Sequence, residues 1–350
     1  MAYTTIDDPT KYFNTSIYTG TLKEDRPIVG TGFQPDLIWF KNRNTTNSHN
    51  ILDSTRGVTK RLRTDDASAE ATTSTRLKSF DSDGMTISTD PAVNGSGNGI
   101  VAWQWKANGG TRTTNSESGN NPGGGYQANT TAGFSIVDWT GTGGAGTMAH
   151  GLGAVPHAIF VHDRGGNNHA VYHKSVASDA ETDYLRLDTN GAATDESGRW
   201  NDTAPTSTVF TIGSNNEVNG DDRTYVAWVF TPIQGYSKFG GYTGNGATDG
   251  PFVYTGFKPA WTMIKETGQT GSWYINDNKR DTFNLVDLTV YADLANAEAT
   301  ETNNSMDYLS NGFKLRGAGN DTNLDGGTYV YMAFAEAPFV TSNGAPANAL

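Results

Sequence analysis

Five of the six histidines in this 350-residue chain fall in one stretch: His150, His157, His162, His169 and His173. Imidazole is the commonest protein ligand for transition metals, so the cluster raises the question of a metal centre. The spacing argues against it. His157 and His162 lie in one apolar run at an odd separation, which points them to opposite faces of a strand. Polar or hydrogen-bonded side chains are the expected role, with His150 capping a turn. A second candidate is Asp321-Thr322-Asn323-Leu324-Asp325-Gly326. Oxygen ligands at alternate positions before a glycine bend are what calcium requires, and Asp321, Asn323 and Asp325 would be the ligands. Position twelve of that loop is Met332 rather than a bidentate acid, so the loop is not an EF-hand. Turn chemistry accounts for its composition, and no metal is expected.

Asp53 with Arg56, and Asp277 with Arg280, form the remaining chemically suggestive set. A glycosidase needs two carboxylates held across one sugar. These aspartates fall in different copies of a repeat, each with an arginine placed to pair with it. No nucleophile elbow, phosphate loop or HExxH motif occurs, and GAGTMAHG lacks the phosphate-loop lysine. With no cysteine, thiolate metal sites and cysteine nucleophiles are excluded. The expectation is a non-enzymatic protein with no catalytic residue and no cofactor.

The elements that carry these residues repeat three times. Tyr18-Thr19-Gly20, Trp139-Thr140-Gly141 and Tyr242-Thr243-Gly244 each precede a proline at one distance, since 35−18, 156−139 and 259−242 all equal 17. A glycine lies three residues before each of Pro35, Pro156 and Pro259: Gly32, Gly153 and Gly256. After the prolines come DLIWFK, HAIFVH and AWTMIK, short runs apolar on both faces, as in strands buried between two layers. Segments led by His49, His169 and Trp273 follow. Each copy closes on an aromatic strand, VAWQW, VAWVF or VYMAF, whose alternation puts Val101, Trp103 and Trp105, and their counterparts, on one core face. Single helical turns are expected at Asp65–Ala71 and Asp293–Ala299.

The fold expected is therefore all-β, with three tandem β-sandwich repeat domains of jelly-roll or lectin-like kind. The first spans 1–110, the second 130–233 and the third 234–350. Residues 111–129, rich in glycine and asparagine, read as a flexible linker. The short second junction predicts that copies two and three pack as a rigid pair. Loop ends carry the expected ligand-binding positions, Asn44, Asn47 and His49 within 44–50, together with 142–147.

A net charge of −12 and a pI near 4.9 disfavour nucleic acid and anionic lipid as partners of the whole surface. No apolar run reaches membrane-spanning length, and the opening MAYTTIDDPTKYF lacks the pattern of a secretory signal.

Taken as sets, IDDPTKYFNTSIYTG…GTGFQPDLIWFKNR, AGFSIVDWTGTGGAGTMAHGLGAVPHAIFVHDR and YVAWVF resemble a repeat of marine phages, including cyanophages. That family occurs in tail-fibre-like and virion structural proteins. The resemblance implies a virion location, with other tail or capsid proteins as partners. It also implies a homo-oligomer, a trimer by analogy with fibres. It brings no catalytic residues: Gly32, Pro35, Trp39, Trp103, Gly151, Pro156 and Trp228 match as architecture. The expected role is a fibre-like appendage contacting host surface glycan. The alternatives are a capsid decoration protein and, third, a glycan-active enzyme on a lectin-like sandwich.

Overall fold

The computed structural model describes residues 3–349. The chain is all-β, and its three copies share one strand arrangement. In the first unit, β1 (Phe13–Thr19), β2 (Leu37–Asn42), β3 (Asn50–Asp53) and β4 (Gly99–Trp105) form a sheet in the order β1-β4-β2-β3. The second unit repeats that order with β5 (Phe134–Thr140), β6 (Ala158–Asp163), β7 (Ala170–His173) and β8 (Thr224–Phe230). The third does so with β9 (Ser237–Thr243), β10 (Phe257–Glu266), β11 (Tyr274–Asp277) and β12 (Thr328–Pro338). Pairings correspond: Trp39 faces Trp103, Phe160 faces Trp228, and Met263 faces Met332. A smaller sheet covers one face of each, such as Arg26–Val29, Gly84–Ile87 and Leu77–Asp81 in the first unit.

The conserved spacings have local causes. Gly32, Gly153 and Gly256 have φ of +85°, +69° and +85°, a left-handed turn that only glycine adopts without strain. Gly20, Gly141 and Gly244 are needed for space, because a Cβ there would lie 2.0–2.3 Å from a backbone oxygen of the facing loop. That facing loop is held by a buried asparagine in every unit. Asn94, Asn219 and Asn323 accept from the backbone N–H of Thr21, Thr142 and Asn245, and donate to carbonyls nearby.

The large aromatic faces do not form the interior of each sandwich. Ile38, Phe40, Ile100 and Ala102 point to the small sheet of the first unit, against Ile28, Leu77 and Met85. The opposite face, with Trp39, Trp103 and Trp105, meets the corresponding faces of the other two units in one shared core. Trp103 and Trp105 lie 6.3 and 5.8 Å from Trp261, and Phe334 lies 5.7 Å from Trp105 and 5.9 Å from Phe230. A small cavity of about 10 Å3 remains at the centre, lined by residues from all three units: Leu37, Trp105, Phe160, Trp228, Trp261 and Met332 among them.

The units also join edge to edge in a cycle. Glu70 N–H donates to Arg164 O at 2.9 Å, Ala193 to Thr267 at 2.8 Å, and Glu298 to Arg43 at 2.8 Å. These positions correspond in the repeat, so unit one reaches unit two, two reaches three, and three returns to one. The arrangement is a ring with an approximate threefold axis through the aromatic core.

Three expectations are corrected by this architecture. Units two and three are no more a pair than any other two. The tract at 111–129 is not a free linker: Thr113–Asn115 pairs with Gly124–Asn129, which pairs with β5 from Phe134 to Trp139. Its Gln127 is buried, donating to Ser54 and Thr55 of unit one at 2.8 and 2.6 Å. No helix forms at Asp65–Ala71 or Asp293–Ala299. Those segments give backbone donors to the next unit instead of closing i−4 bonds, and helix occurs at Pro91–Asn94 and Asn320–Asn323.

Candidate functional site

The charged residues that suggested catalysis hold the ring together. Asp53 takes Arg56 Nε at 2.6 Å, and Arg56 Nη1 reaches Glu70 at 3.1 Å. Glu70 in turn receives both Nε and Nη2 of Arg164 in unit two, at 2.9 and 2.8 Å. The same relay joins units three and one. Arg280 contacts Asp277 at 2.5 Å and Glu298 at 3.1 Å, while Arg43 binds Glu298 at 2.9 and 2.7 Å. Asp277 also accepts from Trp103 Nε1 at 3.0 Å. Asp53, Arg56, Asp277 and Arg280 are at most 1% exposed in their side chains. Their charges are therefore matched within the protein. The junction from unit two to unit three lacks the relay, having His173, Val176, Ala193 and Thr267 at its positions.

Burial holds all six imidazoles below their ordinary pKa, His173 down to about 4. His162 and His169 sit with ring centroids 4.1 Å apart, and neither ring has a hydrogen-bond partner among the described residues. His162 takes the place of Lys41 and Lys265. Those two lysines are buried, pushed down to about 8 by desolvation, and bonded across the ring to Ala295 O and Asn190 O. Among the described residues no group of three or more histidines and acids is arranged to hold a metal.

The calcium candidate is dispersed. Asp321 Oδ1 accepts from Ser272 N at 3.1 Å, Asn323 is the buried loop clamp, and Asp325 is exposed. Asn320–Asn323 is helical, which sends these side chains in different directions. The binding positions at 44–50 also divide. Asn44 caps the end of β4 through Gly99 N, at 2.6 Å. His49 is buried and accepts from Trp39 Nε1 at 2.7 Å, so it is corrected from a ligand contact to a core residue. Asn47 lines a pocket.

That pocket, about 170 Å3, is walled by Thr46, Asn47, Ser48, Asn50 and Ala92 with three arginines, Arg61, Arg63 and Arg76. Arg63 pairs with Asp66 at 2.6 Å and Arg76 with Asp90 at 3.0 Å. Arg61 is 7% exposed, and among the described residues it has neither an ion pair nor a side-chain hydrogen bond. Burial first, then the neighbouring Arg63 and Arg76 charges, lowers its pKa to about 10. In a chain of net charge −12 this is a concentrated positive site. A family model described as a domain of unknown function, DUF7483, matches residues 8–338. The chain belongs to the DUF7483 family. The one match runs through all three units. No curated protein and no solved structure matches the chain.

Sequence reasoning passed over the arginine pocket because its residues are scattered between positions 46 and 92. Aligning the repeats beyond their apolar strands would have drawn attention to it, since Ala92 stands where the second unit has Glu217 and the third Asp321.

Proposed function

We propose that this DUF7483 chain is a non-enzymatic structural protein of a phage virion, a fibre-like appendage whose loop ends contact the host surface. The observation that carries the reading is the closure of three motif-bearing copies into one ring on a common aromatic core. The motifs of those copies are the ones that resemble marine phage repeats. A particle component must survive outside a cell, and a body whose parts open only together resists piecemeal unfolding. Aspartates that would be the natural catalytic pair are committed to buried arginines, which supports a scaffold role.

Capsid decoration is the second reading, and the approximate threefold favours it. A body of that shape in one chain matches a threefold position on a shell without needing three chains. The same geometry bears on the trimer proposed by analogy with fibres, because the ring already supplies threefold form within a single chain. Gold-labelled immuno-electron microscopy of intact virions, with an antibody raised to this chain, separates the readings. Label on the tail or fibres is expected. Label over the capsid would move the assignment to decoration, and unlabelled particles would sink the virion reading.

A further inference from the structure

We infer that the arginine pocket of the first unit binds a carboxylate supplied from outside the chain. The second unit displays the complete version of this site. There Arg186 Nε and Nη2 hold Glu217 Oε1 at 3.1 and 2.6 Å, while Arg199 Nε and Nη2 hold Oε2 at 3.1 and 2.8 Å. One carboxylate is clamped by two guanidinium groups, one on each oxygen, a strong charge-assisted geometry.

Backbone pairings place the first unit's arginines in the same positions. Ile51 bridges Leu62 as Val171 pairs with Leu185, so Arg63 corresponds to Arg186. Ser88 N–H donates to Arg76 O at 2.9 Å as Gly213 does to Arg199 O at 2.6 Å, so Arg76 corresponds to Arg199. Counting back two residues from the clamp asparagines, Asn94 and Asn219, the carboxylate-bearing Glu217 corresponds to Ala92. The first unit thus keeps both clamp arginines and lacks the carboxylate they would hold. Its Arg63 Nε and Arg76 Nε, whose counterparts bond Glu217, are buried without a partner among the described residues.

A third arginine strengthens the contrast. Arg61 takes the place of Tyr184, and its buried Nε is also without a partner. Three guanidinium charges face two paired carboxylates, Asp66 and Asp90, leaving 3−2 = +1 in a pocket with room for a ligand. In the third unit Tyr291 and Ser305 replace the clamp arginines, and Asp321 turns to Ser272 N instead. Only the first unit has the clamp without its acid. Thr46, Asn47, Ser48 and Asn50 add hydroxyl and amide groups, which suits a carboxylate carried on a hydroxylated body such as an acidic sugar.

The test is isothermal titration calorimetry of the full chain at fixed ionic strength, with glucuronate, its neutral methyl ester, and acetate. Saturable binding of glucuronate but not of the ester is expected. Ala92→Glu supplies the missing acid from within, as the second unit does, and should weaken glucuronate binding by about tenfold or more while leaving the thermal melt unchanged or raised. Should that variant fail to fold, Arg61→Gln serves in its place and should weaken binding likewise. Acetate binding as tightly as glucuronate assigns the site to a bare carboxylate, and tighter glucuronate assigns it to an acidic sugar. No saturable binding by the unaltered chain, equal binding of the ester, or affinity untouched by Ala92→Glu would each overturn the inference. None of these outcomes depends on where the protein sits in a virion.

Discussion

Six histidines kept neutral by burial make this protein's stability depend on pH. In the unfolded chain each imidazole takes up a proton near pH 6.5, whereas in the folded chain it does so only at lower pH. The unfolded state then binds more protons than the folded one as pH falls below 6.5, so folding weakens with acid. Each histidine that stays neutral removes about 1 kcal/mol between pH 7.5 and 5.5. Urea melts over that range should show the decline, and a flat profile would mean the imidazoles can protonate in place. Carboxylates raised by burial, such as Asp36 and Asp293, act in the opposite direction and from a lower starting pKa. The decline on acidification is therefore the histidine loss less whatever these carboxylates return.

At the scale of elements, the turns after β1, β5 and β9 decide whether each sheet can close. Gly20→Ala would put a methyl carbon 2.0 Å from Gly95 O, and relief requires moving the loop that follows Pro91–Asn94 and leads into β4. The expected loss is about 2 kcal/mol or more, read as a lower thermal midpoint. Gly97 is a useful control with the opposite constraint: it has positive φ (+76°), which Gly20 does not, and open space around its Cβ position. Gly97→Ala should cost only the left-handed penalty of about 1 kcal/mol. A loss at Gly20→Ala no larger than that at Gly97→Ala would show that the close approach of the two loops does not demand glycine at residue 20.

For the whole molecule, a common core makes the three units one cooperative body. Calorimetry should show a single unfolding transition, and resolved transitions would contradict the shared core. A fragment of unit two alone would expose Phe160, Trp228 and Phe230 to water, so it should not fold stably on its own. The junctions are unequal in kind. Glu298→Ala strips the buried Arg280 and the half-buried Arg43 of a shared acid, at a cost of about 3 kcal/mol in denaturant melts. At the two-to-three junction the corresponding residue is already Ala193, and the ring is closed there by backbone bonds from Ala193 to Thr267 and from Gly271 to Asn190.

Strand content, the threefold repeat, the place of each proline and glycine, and the alternation of the closing strands were all written in local order along the chain. Local order suffices for these because period-two burial and positive-φ turns are decided within a few residues. What the alternating faces would meet was not decided there. Val101, Trp103 and Trp105 read equally well as the interior of one sandwich or as the centre of three, since burial of an apolar face does not name its partner. Gln127 in the apparent linker and the absent turns at Asp65 and Asp293 have the same origin: their hydrogen bonds go to another unit. The arginine pocket belongs to tertiary structure entirely. Arg61, Arg63, Arg76 and Asn47 converge only once the sheets pack, and Ala92 becomes informative only when set beside Glu217 in the folded ring.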